Sequence, residues 1–348
     1  MQTKRFGLCA ALSAAALLLL AGCAGSGSTA APTLTVESSY PLQYAKQFTV
    51  DECTGGYELI TIADSQYLVV PQGAAVPEDL PQGTTVLQQP IENIYLVSTS
   101  AMDPIISLGA LDSIALSGTK ADGWYLPEAK AAMQAGQIAY AGKYSAPDYE
   151  TILASGCGLA IENTMIYHTP EVIEQLQTTG VPVLVERSSY ESSPLGRIEW
   201  LKLYGALVGK EDLACSQYDE LLAALSPILD QEASGQTVAF FYINSSGAVN
   251  VRKSGDYIAK AIAMAGGQYV SFDESGEENA LSTMTIQMES FYASAVDADI
   301  MIYNSTIDGE IRTIDELLTK SPLLADCKAV QAGTVWCITK NYYQESLA

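Results

Sequence analysis

Residues 57–62 and 66–70 are short runs rich in β-branched and aromatic side chains, and the Ala-Asp-Ser between them suits a hairpin turn. Residues 34–90 as a whole read as strands and turns. From Ile91 the pattern changes. Apolar runs at 94–97, 113–116, 137–140, 159–161 and 183–185 alternate with helix-like segments at 102–108, 127–135, 148–154 and 171–178. Such alternation predicts a parallel sheet with helices on both faces. The last of these helices carries a start signal: Thr169 as a capping hydroxyl, Pro170 in the first turn, and Glu171 near the positive end of the dipole.

Residues 210–230 differ. Tyr218, Leu221, Leu222, Leu225, Ile228 and Leu229 recur on one helical stripe with no Gly between them, and Pro227 predicts a kink or an end. About twenty residues at the standard rise span about 30 Å, long for a crossover and suited to a bridge. A second alternating block follows, with strand-like runs at 237–243, 300–303 and 334–338 and helix-like runs at 257–265, 289–295 and 314–318. Gly266-Gly267 stops the first of these helices. The pattern predicts an α/β protein of two Rossmann-like lobes joined by one long helix, with a ligand cleft between them. The expected parts are a first lobe at 34–209 with a β-rich start, a linking helix at 210–232, and a second α/β lobe at 233–348. Residues 342–348 read as the opening turn of a helix, so the second lobe is expected to lack its last one.

The N-terminus sets the compartment. Lys4 and Arg5 precede an apolar run at 6–20, too short for the roughly 20 residues of a spanning helix, which closes in Leu20-Ala21-Gly22-Cys23. Basic, apolar, then small is the order of a signal peptide, here residues 1–22. The closing cysteine resembles a bacterial lipobox. Residues 23–33 then form a lipidated Cys23 and a flexible tether, and two acyl chains suffice for stable anchoring. The chain is expected at the cell membrane, lipid-anchored on the extracytoplasmic face.

The net charge of −23 sharpens this: loss of Lys4 and Arg5 leaves 15 basic against 40 acidic side chains, or −25. That excludes nucleic acid and adsorption to anionic lipid, leaving the anchor as the only membrane contact. Of seven cysteines, Cys53, Cys157, Cys215, Cys327 and Cys337 lie beyond the lipobox, an odd scattered set with no CxxC pair. Buried free thiols are the favoured reading, with a Cys327–Cys337 disulfide as the alternative.

Lipobox, α/β lobe, long helix and second α/β lobe, in that order, resemble the substrate-binding proteins of ABC importers. The nearest group is the bilobed one with a single helical backbone that serves iron–siderophores, haem and cobalamin. The stretches Gly118-Thr-Lys-Ala-Asp-Gly-Trp124, Ala141-Gly-Lys-Tyr-Ser-Ala-Pro-Asp-Tyr-Glu150, Ser192-Ser-Pro-Leu-Gly-Arg-Ile-Glu-Trp200 and Asn244-Ser-Ser-Gly-Ala-Val-Asn-Val-Arg252 are similar to iron-complex binders of Gram-positive bacteria. The resemblance implies a monomeric, non-enzymatic receptor that takes a metal chelate, an iron–siderophore before haem or cobalamin, to a permease and its ATPase. It implies no resident cofactor or metal. It also implies one docking glutamate per lobe, and the matching contexts place these at Glu150 and Glu289.

Ligands of open α/β sheets sit beyond the carboxyl ends of strands. Applied to the predicted strands, that rule selects residues 98–100, Trp124, Tyr125, Lys143, Tyr144, residues 162–164 and Arg187 in the first lobe, and Asn244, Arg252, Asn304 and Trp336 in the second. An arginine near the cleft of so acidic a chain suits bidentate binding of a carboxylate or catecholate, against a surface ion pair as the plain alternative. Trp124, Tyr125 and Trp336 suit stacking on a planar ligand, against a place in the core or cleft wall. Asp256 and Glu277-Glu278 read as a solvated face. His168 is the only histidine. Without a GxSxG elbow it makes a weak catalytic candidate, and one imidazole does not make a zinc or manganese site. Two rivals remain: a surface sensor or partner-binding lipoprotein on the same fold, and a lipoprotein hydrolase.

Overall fold

The computed structural model describes residues 33–272 and 283–347. The N-terminal segment read as a signal peptide, Cys23 and Glu277-Glu278 lie outside the described residues.

The β-rich start is a meander of β1 (Val36–Ser39), β2 (Phe48–Cys53), β3 (Tyr57–Ile62) and β4 (Ser65–Val70), with β5 (Thr85–Gln88) added parallel to β4. The turn expected between β3 and β4 is present, with Ala63 in the left-handed region at φ 50°.

The first lobe follows: β6 (Ile94–Leu96), α1 (Met102–Ser107), β7 (Ile114–Ser117), α2 (Pro127–Gln134), β8 (Ala139–Tyr140), the short hairpin β9 (Gly142–Lys143) and β10 (Ala146–Pro147), α3 (Tyr149–Ala154), β11 (Ala160–Asn163), α4 (Pro170–Thr178) and β12 (Val183–Glu186). Its five-stranded sheet has the order β12-β11-β6-β7-β8 and is parallel throughout. Side chains alternate across the central strands. Ile94, Leu96 and Ile161 face a core shared with α1, α2 and the meander, while Tyr95, Val97 and Ala160 face a second core under α3 and α4. Asp148 caps α3 by accepting from the Thr151 N–H at 3.1 Å. At α4 the expected cap is not made: the Thr169 hydroxyl donates back to the Ile166 carbonyl instead, and Pro170 alone marks the start.

The bridge between lobes consists of two helices, α5 (Pro194–Val208) and α6 (Glu211–Leu229). The linking helix read from the sequence is α6, about 28 Å long at 1.5 Å per residue, with Pro227 inside its last turn. The helix before it carries no apolar stripe to read. α5 is buried on nearly every side, wedged between the meander and the first-lobe sheet, with Trp200 edge-on to Phe48 at 4.9 Å. Two glycines permit that fit. A Cβ on Gly205 would stand 2.5 Å from Cβ of Ala214 in α6, and one on Gly196 would stand 2.9 Å from the Tyr44 carbonyl oxygen. The buried charged pair of α5, Glu199 and Lys202, is fully engaged. The Glu199 carboxylate accepts from the N–H groups of Gln43, Tyr44 and Ala45 and from Lys202 Nζ at 2.9 Å.

The second lobe comprises β13 (Thr237–Ile243), β14 (Val249–Arg252), α7 (Tyr257–Met264), β15 (Gln268–Tyr269), β16 (Thr283–Ile286), α8 (Met288–Ala295), β17 (Ile300–Asn304), α9 (Ile314–Lys320), α10 (Lys328–Ala332) and β18 (Val335–Ile338). Its sheet has the order β16-β14-β13-β17-β18, with β15 beside β13. The expectation of parallel strands fails for β14, which is antiparallel to both neighbours. The turn at 244–248 is too short for a crossover, so β13 can only return as a hairpin. α7 covers one face of this sheet; α8, α9 and α10 contribute to the core on the other.

Candidate functional site

The carboxyl ends of the two sheets and the start of α5 meet at a cavity of about 150 Å³. Ser100, Ser188, Arg197 and Trp200 form its first-lobe wall, Tyr257 and Ala261 of α7 its second-lobe wall, and Tyr343 is in its roof. Ser100 and Ser188 are fixed from behind by Glu186, at the end of β12. That buried carboxylate accepts from Ser98 Oγ at 2.9 Å, Ser100 Oγ at 3.2 Å and the Ser188 N–H at 2.6 Å. Burial, then the neighbouring Glu186 charge, pushes the Tyr204 hydroxyl well above its ordinary range.

Two arginines flank Tyr257. The Arg197 guanidinium lies over the Tyr257 ring at 3.4 Å from its centroid and donates to the Ser189 carbonyl at 2.6 Å. Arg252 donates to Asp256 at 3.3 Å and to the Tyr343 hydroxyl at 3.3 Å. Burial works against the charge on Arg252, but Asp256 and then Tyr343 hold its pKa above the ordinary value. Asp256 is therefore no solvated acid: it is fully buried, pairs with Arg252, and caps α7 through the Ile258 N–H at 2.9 Å. Arg197 was not selected from the sequence. Its one signal is membership of the 192–200 stretch, because the end-of-strand rule does not reach a residue on the opening turn of a helix.

Beyond β18 the chain crosses from the second lobe to the first. A 3₁₀ turn at Lys340–Tyr343 stands where the opening of a helix was expected. Gln344 then accepts from the Tyr125 N–H at 2.7 Å and donates to the Gly123 carbonyl at 2.8 Å. Ser346 Oγ donates to the Ser100 carbonyl at 2.9 Å, and the Leu347 N–H donates to Asp103 at 2.9 Å. This strap ties the lobes together across the cavity mouth.

The other predicted residues spread out. Trp124 is 1% exposed, its indole N–H held by Ser117 Oγ at 3.1 Å, so it belongs to the core and offers no stacking face in this conformation. Asn304 is buried, and its side chain caps the loop at Thr306. Asn244 does the same for the β13–β14 turn through Ser246 and Ala248. Trp336 is 66% exposed but lies within β18, away from the cavity wall. Tyr125 is exposed beside the strap, Lys143 is exposed on β9, and Tyr144 packs partly against the core under α3. Arg187 lies over the Tyr190 ring at 4.5 Å and donates to Gln47 at 3.4 Å. Glu150 and Glu289 are both exposed in the first turns of α3 and α8. His168 is exposed just before α4. Cys327 and Cys337 are unpaired, the first buried and the second exposed.

Exposed Tyr140, Tyr167 and Tyr190 add an aromatic fringe at or just after the ends of β8, β11 and β12, with Lys120 over Tyr140 at 5.4 Å. The first lobe's cleft edge is thus aromatic and locally cationic within an acidic protein. Among the described residues, no group of three or more His, Cys, Asp or Glu is placed to hold a metal ion.

Comparison with known proteins returns the resemblance read from the sequence. Solved structures with this fold include the periplasmic haem-binding protein HutB of Vibrio cholerae, with a TM-score of 0.60 at 17% identity, covering 74% of this chain and 95% of that one. The periplasmic catecholate-siderophore binding protein VctP of the same species gives a TM-score of 0.58 at 15% identity, covering 75% and 90%. An uncharacterised lipoprotein of Methanocaldococcus jannaschii is 26% identical over 232 residues, 64% of this chain and 52% of its own length. The chain spans about half the length of the curated relatives it matches. The sequence pattern of the family described as "Periplasmic binding protein" matches residues 96–342. Covering both sheets and the bridge, that match means that this chain belongs to the periplasmic binding protein family.

Proposed function

We propose that the protein is the extracytoplasmic substrate-binding component of an ABC importer, held to the membrane by a lipidated Cys23, and that its ligand is a metal chelate, an iron–siderophore before haem or cobalamin. The observation that carries this reading is the inter-lobe cavity flanked by Arg197 and Arg252 beside an aromatic fringe, in a binding-protein fold whose net charge is −23. A neutral or cationic ligand needs no such placement of scarce cations, whereas a carboxylate, catecholate or propionate does. Solved relatives of the same fold bind haem and catecholate siderophores, and the archaeal relatives are named lipoproteins. Delivery is assigned to Glu150 and Glu289, one on each lobe, meeting basic residues of the permease. Uptake by the reconstituted importer tests this part. Glu150→Ala and Glu289→Ala reduce transport while chelate binding to the free protein stays unchanged; loss of binding, or full transport by the double variant, contradicts the assignment.

A further inference from the structure

We infer that the cavity below Tyr343 is a subsite for one benzene-sized acidic group, an aryl carboxylate, with Arg197 as its anion-binding residue. The inference rests on reading the cleft as the ligand site and names what part of a ligand enters its closed end. Charge comes first. Arg252 has Asp256 at 3.3 Å, but among the described residues Arg197 has no carboxylate within ion-pair distance. Its other contacts are the Ser189 carbonyl at 2.6 Å and the Glu191 carbonyl at 3.5 Å, which orient a guanidinium without neutralising it. Glu345 also lines the cavity, but its carboxylate is engaged by Asn341 at 2.7 Å.

Geometry comes second. The Tyr257 ring fixes the plane of Arg197, and Ser188 and Ser100, set by Glu186, add polar groups to the same wall. Trp200, Tyr257 and Tyr343 supply flat apolar walls. Size comes third. A cavity near 150 Å³ holds one benzene ring, so haem, a corrinoid or a whole siderophore does not fit inside and only an acidic arm enters.

The probes are benzoate and its neutral counterpart benzamide, followed by calorimetry and thermal shift on the whole protein. Benzoate binds the wild type and benzamide binds at least about tenfold more weakly, as expected when one charged hydrogen-bonded contact is lost. Arg197→Gln removes benzoate binding, and Arg197→Lys restores part of it. Ala261→Phe fills the cavity from the opposite lobe with Arg197 intact and also removes it, which decides the matter if the Arg197 variants fail to fold. No benzoate binding by the wild type, equal binding of benzamide, or full binding by Ala261→Phe overturns the subsite. The chelate panel run on the same proteins separates the two readings. A chelate bound equally by wild type and Ala261→Phe overturns the subsite alone; benzoate binding with no chelate binding leaves the subsite and removes the importer reading.

Discussion

On α5, the buried Glu199 accepts from three backbone N–H groups and from Lys202, whose ammonium also lies over the face of Tyr218 at 4.4 Å. On β11, Glu162 is equally buried, yet among the described residues neither carboxylate oxygen has a hydrogen-bond partner. The same side chain thus has two different environments within one lobe. Burial alone would raise Glu199, but the hydrogen bonds from Ala45, Gln43, Tyr44 and Lys202 hold it below its ordinary value. Burial with nothing to oppose it pushes Glu162 up to about 8. A buried acid on the bridge ties chain segments together, whereas one behind the sheet costs stability once the unfolded chain ionises.

The variants that sharpen this contrast rank by size. Glu199→Ala leaves a buried Lys202 without its counter-charge and three N–H groups unmatched, and costs about 3–5 kcal/mol at neutral pH, measured by urea unfolding. Because its folded pKa is depressed, the Glu199 contribution is present above its ordinary value of 4.5 and is lost as pH falls below it. Glu162→Gln works the other way. The folded carboxyl stays protonated while the unfolded one ionises, so the penalty grows from pH 4.5 to about 8 and is then constant. The variant is more stable than wild type by about 5 kcal/mol above that range and equal to it at the acid end. A gain that did not depend on pH would contradict the assignment.

Smaller effects compare the two arginines. Arg252→Ala strands a buried Asp256 and costs about 2 kcal/mol, whereas Arg197→Ala gives up contacts to carbonyls and costs about 1 kcal/mol in the same unfolding assay. A larger loss at Arg197 would mean that it is structural first. An equally small change is Gln344→Ala, which removes two hydrogen bonds to the first lobe and lowers stability by about 1 kcal/mol, with faster amide exchange at Tyr125 as its local signature.

What could be read from the sequence follows from periodicity. β6, β7, β12 and β13 and helices α1, α2, α7 and α9 lie where alternating apolar runs and capping residues predicted them, because each has one buried face or a short buried run. α5 escaped because a helix buried on all sides has no stripe, and its Glu199 and Lys202 look like surface residues until the strap at 41–47 is seen against them. The hairpin at 244–248 made the second sheet mixed. In the site, Arg252 was legible as a scarce cation after a strand. Arg197, Glu186 and the Gln344 strap were not, since each depends on contacts between residues distant in sequence. Trp124 and Asn304 sit near strand ends as predicted but point their polar atoms into the fold, which the end-of-strand rule does not distinguish.

The central claim, that the cleft receives a metal chelate, is tested most directly by the thermal unfolding of the purified protein alone and with ferric siderophores, haem, cobalamin and free metal ions. The account predicts that one chelate class stabilises the protein, by about 2.7 kcal/mol at 100 times its dissociation constant, and that free metals do not. Cooperative unfolding at an unchanged temperature with every chelate would contradict it.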